Sequence, residues 1–307
     1  MFIACHKTIG GGFMTYIIEN ANLYKQNQLI TTSLLVDNGK ILSVQPNFPK
    51  YLYMKMSAKD FIMTSTSVFY ADGVPQDKDT TIEQYMISRY LAKGCTTVLV
   101  SAYIKNVNEL DQAIEEVRNF YKNSPLDYTI AVKIPIKDFT VPFVLKCKRK
   151  KIPAIFIEFN DKRELYKIPW GWIREALFPY NSPIIPVIVN SGKEKEDLLQ
   201  TWQSILQREK IPHIEESLSE QTPLHLQVLK KIGIYPLKGY LQTGGELSYN
   251  LYLSGNEHPV FSFMNDEKKF ILAVTVHKGK IVKAGEKIYY NLENGEEFTI
   301  NRPSFFS

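Results

Sequence analysis

Leu91-Ala92-Lys93-Gly94-Cys95-Thr96-Thr97-Val98-Leu99-Val100-Ser101-Ala102 is the stretch whose reading decides the fold. It joins a helix-period segment, Thr81–Ala92, to a near-continuous apolar run, Thr96–Ala102. Apolar runs of this length without alternation fit strands covered on both faces. The same alternation extends outward. Strands are expected at Ser67–Ala71, Tyr128–Ile134, Ala154–Phe159, Ile184–Val189 and, more weakly marked, Ile211–Glu215. Helices are expected at Val107–Tyr121, Val141–Lys148, Arg163–Leu177, Lys195–Gln207 and Pro223–Lys231. Strands that alternate with helices imply βα units and a parallel sheet.

The two ends of the chain read differently. Residues 15–63 have β character, and Val36-Asp37-Asn38-Gly39-Lys40-Ile41 puts Asn-Gly between apolar runs, a strong hairpin signal. Val276-His277-Lys278-Gly279-Lys280-Ile281 repeats the Val-x-x-Gly-Lys-Ile pattern, and Asn294-Gly295 marks a further turn. Two similar β-segments at opposite ends suggest one small sheet domain built from both.

Composition bounds the rest. The chain has 307 residues, 44% of them hydrophobic, with 37 Lys+Arg against 32 Asp+Glu and a net charge of +5. That is globular, and it gives little support for a nucleic-acid partner. Cys5, Cys95 and Cys147 are scattered and odd in number, which argues against a disulfide framework and for a reducing, cytoplasmic setting. No run reaches the roughly 18 apolar residues of a membrane span. Gly10-Gly11-Gly12 ahead of Met14 suggests a translated leader over 1–13 with Met14 as the start, the alternative being a flexible tail.

Four stretches together resemble the amidohydrolase superfamily, nearest to its dihydroorotase and hydantoinase branch. Tyr16–Val44 is similar to the family's opening β-segment. Ile62–Gly73 stands where the family has Pro-Gly-Phe-Ile-Asp-x-His-x-His-Gly. Gly94-Cys95-Thr96-Thr97 resembles its Gly-hydrophobic-Thr-Thr. Gly233-Ile234-Tyr235-Pro236-Leu237-Lys238-Gly239 resembles its Gly-Leu-Tyr-Pro-x-Lys-Gly, and Gly244-Gly245-Glu246-Leu247-Ser248 replaces the Gly-x-Asp-Ala-Asp that follows. The resemblance implies an α/β fold: a TIM-type (β/α) barrel with a β-sandwich formed from both chain ends. Six recognisable units in place of eight make that barrel shortened or distorted. The expected division is 14–65 with 235–307 for the sandwich and 66–234 for the barrel.

The resemblance also implies a site of one or two metal ions, held by imidazoles, carboxylates and a bridging carbamylated Lys, that turns water into hydroxide. The ligand positions carry over poorly. The two first-strand histidines fall on Tyr70 and Asp72. Pro153–Asn160 contains no Lys and Pro183–Ser191 no His. His213 lies at the start of its strand, away from the catalytic rim, and among His6, His213, His225, His258 and His277 there is no His-x-His or His-x-x-x-His pair. Several ligands must converge for a zinc-like site, so no metal and no other cofactor is expected.

Barrel enzymes place their chemistry at the C-terminal ends of the strands. The polar residues expected there are Tyr70, Ser101, Tyr103, Asn160 and Asn190 as binding candidates, with Asp72, Glu158 and Glu216 as candidate acids or bases. Strand ends that open to water are polar for that reason alone, which is the competing explanation. Cys95 and Cys147 lack a neighbouring His and read as core or surface residues. The basic run Lys146–Lys151 reads as a helix end favoured by the helix dipole. Trp170-Gly171-Trp172 is either core or a contact patch.

The sequence thus leads to an amidohydrolase-like chain that has lost metal-dependent hydrolysis and binds, scaffolds or regulates. It would take a small-molecule ligand at the barrel mouth and form a homodimer to cover exposed strand edges. The alternative is a hydrolase of a cyclic amide or related C–N bond, with an atypical divalent, zinc-like metal or none.

Overall fold

The computed structural model describes residues 15–75, 81–189, 192–254, 270–290 and 295–305. Met14, the leader 1–13 with Cys5 and His6, Asn190, Ser191, His258 and Asn294 lie outside them. In chain order the strands begin with β1 (Tyr16–Lys25), β2 (Gln28–Asp37), β3 (Lys40–Gln45), β4 (Met54–Ser57), β5 (Phe61–Ser65) and β6 (Ser67–Asp72). Alternation follows: α1 (Ile82–Arg89), β7 (Cys95–Tyr103), α2 (Leu110–Tyr121), β8 (Asp127–Pro135), α3 (Val141–Arg149) and β9 (Ile155–Glu158). Next come α4 (Lys162–Tyr166), α5 (Trp170–Leu177), β10 (Ile184–Val187), α6 (Lys193–Arg208) and α7 (Leu226–Ile232). The chain closes with β11 (Tyr249–Ser254), β12 (Phe270–His277), β13 (Lys280–Ala284) and β14 (Lys287–Ile288). None of the described helices is long and apolar enough to cross a membrane.

The chain divides into two compact units, residues 1–65 with 241–281 and residues 66–240 with 282–307. The expected C-terminal share of the sheet domain is therefore too long. Val282 is buried in the core of the second unit, Ile288 and Tyr290 pack against it, and Ile300 joins that unit's second core cluster. Apolar burial assigns the tail to the barrel side, where sequence order alone assigned it to the sheet.

In the first unit the strands follow one hydrogen-bonded path, β12-β11-β5-β1-β2-β3, with β4 paired to β1. This is one continuous sheet, mostly antiparallel, where two separate sheets of a sandwich were expected. The echoed sequence patterns form its two tight turns. Asn38 and Gly39 have φ of 51° and 69°, and Lys278 and Gly279 have 50° and 78°. Two successive positive φ values match the twist of a right-handed hairpin, which explains Asn-Gly at the first turn. The turns meet: a Cβ on Gly39 would lie 2.5 Å from the Lys278 carbonyl oxygen.

In the second unit five parallel strands run in the order β10-β9-β8-β7-β6. They make a curled half-barrel, not a closed barrel. The sixth expected strand, 211–215, reduces to a single bridge between His213 and Ile184. The expected helix Arg163–Leu177 is two helices, because the Pro169 nitrogen carries no hydrogen to continue the ladder. Trp170 is buried and its indole N–H donates to the Leu165 carbonyl, whereas Trp172 is 71% exposed.

Strand alternation gives the sheet two buried faces. Phe69, Val98, Val100, Ile130, Val132 and Ile157 pack on one side with side chains of the flanking helices, such as Val117, Phe143 and Trp202. Val68, Tyr70, Leu99, Ala131, Phe156 and Ile185 face the other way. In a full barrel that second face would meet the missing strands. Here Leu229 and Ile232 of α7, together with Ile214, Leu224, Ile234 and Ile300, cover it.

One segment hydrogen-bonds to both edges of the sheet. At the β10 edge Ile184 N–H donates to the Pro212 carbonyl and Ile214 N–H to the Ile184 carbonyl. At the β6 edge Gln221 N–H donates to the Tyr70 carbonyl and Leu224 N–H to the Val68 carbonyl. Residues 212–224 therefore run from one edge of the half-barrel to the other.

Candidate site at the C-terminal ends of the parallel strands

Three adjacent strands bring together Tyr70 and Asp72 (β6), Ser101 and Tyr103 (β7) and Lys133 (β8). The parallel register sets Asp72 beside Ser101 and Tyr103 beside Lys133. The Tyr70 phenol and the Ser101 hydroxyl are 3.0 Å apart. Ser101 donates to Asp72 Oδ1 at 2.8 Å, and the Lys133 ammonium donates to Asp72 Oδ2 at 2.5 Å. Both carboxylate oxygens are thus engaged. Lys133 Nζ also stands 5.6 Å from the centre of the Tyr103 ring, within cation–π range. From the bridging segment, Glu220 Oε1 accepts the backbone N–H of Asp72 at 2.7 Å.

The charges are held at graded depth. Ser101 and Tyr70 are buried, the Lys133 side chain is 14% exposed and that of Asp72 37%. Tyr70 stacks on Phe156 with ring centres 4.7 Å apart. Burial, reinforced by the Asp72 charge, pushes the Tyr70 phenol well above its ordinary value. It stays neutral, and a neutral phenol is a poor metal ligand.

The other candidates are not drawn into this network. Glu158 lies at the end of β9 on the same face, since Phe156 pairs with Lys133 and Glu158 stands two residues on. It bonds to none of the network residues. The Asn160 side-chain oxygen accepts from Val189 N–H, a loop-tying role. Glu216 is exposed on the bridging segment, and Asn190 lies outside the described residues. Sequence reasoning missed Lys133 and Glu220. Lys133 carried a signal, as the single charge inside the apolar run Tyr128–Ile134. Glu220 carried none, because its role depends on a segment that returns from far along the chain.

The donor set can be tested against the metal centre that the family resemblance implies. At these strand ends it offers the carboxylates of Asp72, Glu158 and Glu220, the hydroxyls of Tyr70, Ser101 and Tyr103, and the Lys133 ammonium. No imidazole is present there among the described residues. His213 sits at the opposite end of the sheet, level with the first residue of β10, with its Nδ1 2.8 Å from the Ile211 carbonyl oxygen. Within either unit taken alone, no three described His, Cys, Asp or Glu side chains bring ligand atoms within 4.8 Å of one another. The residues at the strand ends do not fit the imidazole-bearing metal centre that the resemblance implies, because no imidazole is among them and the Lys133 ammonium already sits on Asp72.

His213 has a separate consequence. Burial holds its imidazole below the ordinary value near 6.5. The unfolded chain therefore takes up this proton first as pH falls. The stability contribution is complete above about pH 6.5 and declines below it, by at most about 1.4 kcal/mol per pH unit for one site. The urea midpoint of the wild type is expected to fall more between pH 7.5 and 5.5 than that of His213→Gln. Equal slopes would remove His213 as the cause.

The remaining features are structural. Burial pushes the Cys95 thiol up to about 12 and raises that of Cys147, so neither is a ready nucleophile. In the basic run, Lys150 pairs with Asp111, Lys148 donates to the Phe178 carbonyl and Lys151 to the Asn301 side chain. A cleft of about 500 Å³ lies beside Lys150, Lys151 and Arg118. Arg118 is already held by Glu297 and Glu115. Positive charge there is neutralised within the chain.

No family model and no curated protein sequence matches this chain. Solved structures do. A D-hydantoinase superposes with a TM-score of 0.65 at 12% identity, covering 95% of this chain and 100% of the other. The dihydropyrimidinase of Brevibacillus agri gives 0.62 at 10% identity, covering 95% and 99%. The L-hydantoinase of Arthrobacter aurescens gives 0.59 at 11% identity, covering 93% and 100%. At these identities the likeness establishes a shared fold, and function must be argued from the site.

Proposed function

We propose that this chain is a hydantoinase-like protein that has left metal-dependent hydrolysis for a binding, scaffolding or regulatory role, with the polar strand ends of the half-barrel as its ligand site. The observation that carries this reading is the Lys133–Asp72 ion pair. It stands at the position where the family resemblance puts a first-strand metal ligand, and it engages the carboxylate that an ion would need. The fold shared with hydantoinases supports the ancestry, and the donor set supports the loss.

A metal-free hydrolase is the competing reading. It needs Asp72 or Glu158 as a base, and Glu158 is the better placed because its carboxylate is not committed to the network. Hydantoin, dihydrouracil and dihydroorotate, assayed with and without added zinc or manganese, are expected to show no turnover above the uncatalysed rate. Turnover lost on Asp72→Ala or Glu158→Gln would instead establish the hydrolase.

A further inference from the structure

We propose that Lys133 is the resident cation of this site: its ammonium does, on a covalent tether, what a bound ion would do between Asp72 and the Ser101–Tyr70 hydroxyl pair. The inference rests on the reading above and adds what occupies the site. Three observations support it. The ammonium is 2.5 Å from Asp72 Oδ2 while Ser101 holds Oδ1, so one positive charge organises the whole chain of bonds out to Tyr70. The Lys133 side chain is 14% exposed on a strand whose other side chains from Tyr128 to Ile134 are buried, a costly place for a charge without its partner. The Tyr103 ring offers a second, weaker cation contact from the neighbouring strand. A tethered cation acts at high effective concentration and needs no ion from solution.

Cutting the tether leaves a cavity the shape of propylammonium. Lys133→Ala is expected to lower the melting temperature by about 3–6 °C, for a partly buried pair in a unit of this size. Propylammonium chloride should restore at least half of that loss, while 1-propanol and sodium chloride at the same concentration should not. No recovery, or equal recovery with all three, would overturn the proposal. If Lys133→Ala does not fold, the pair can be neutralised as Lys133→Met with Asp72→Asn. The double variant should then melt closer to wild type than either single variant, and a simple sum of the two losses would count against the pairing. These outcomes are separate from the fate of the binding-protein reading, which fails on turnover or on stoichiometric metal in the wild type.

Discussion

Lys238→Met is expected to destabilise the chain by about 3–5 kcal/mol, the cost of leaving a buried charge without its partner. Lys238 Nζ lies 2.5 Å from Asp127 Oδ2, with side chains 7% and 0% exposed. The other oxygen, Oδ1, accepts the Glu296 backbone N–H at 3.0 Å, which fastens the C-terminal tail to the first residue of β8. Methionine keeps most of the side chain's length and bulk and removes the ammonium, with its charge and its N–H donors. The loss should therefore report electrostatics and not a cavity. Urea denaturation of the full chain measures it, and a loss below about 1 kcal/mol would show that Asp127 does not depend on this ammonium.

The second large effect is expected at the echoed turns. Gly39→Ala must hold a Cβ at φ of 69° and place it 2.5 Å from the Lys278 carbonyl oxygen. Left-handed backbone costs about 1–2 kcal/mol for an L-residue, and a backbone clash adds to it. Gly244 is the control within the same unit. Its φ is 81°, but a Cβ there meets nothing within 4 Å. Gly244→Ala should therefore cost only the conformational part, and Gly39→Ala at least about 1 kcal/mol more. Equal losses would mean that the close approach of the two turns contributes nothing.

These two sites show what the sequence could convey. The repeated Val-x-x-Gly-Lys-Ile pattern announced two turns, and local backbone chemistry made both legible. That they touch is a tertiary fact without a local signal. The segment Tyr235–Gly239 was legible as a motif, yet its work was not. Lys238 supplies a buried charge, and Gly239, at φ of 68°, lets the chain pass Val68 and Leu229, whose side chains would lie 3.0 and 3.1 Å from a Cβ.

At the candidate site the readable part was the alternation along each strand. It placed Tyr70, Asp72, Ser101 and Tyr103 at strand ends, and the parallel register brings them together. Lys133 is visible as the one charge in the run Tyr128–Ile134, but a strand pattern alone does not pair it with Asp72 two strands away. Of the bridge formed by 212–224 only the start, within Ile211–Glu215, carries a weak strand signal, since its pairing is with two distant edges and not with a neighbour. The helix break at Pro169 and the allegiance of Val282 to the barrel core were both decided by constraints outside a single-segment pattern.

Elemental analysis of untagged protein purified without chelators tests most directly whether the site at the strand ends holds a metal ion. The donor set predicts zinc, manganese and iron well below one per chain in protein that is folded. Near-stoichiometric metal that disappears in Asp72→Ala would contradict the assignment of Lys133 as the cation of this site and return the chain to the hydrolases.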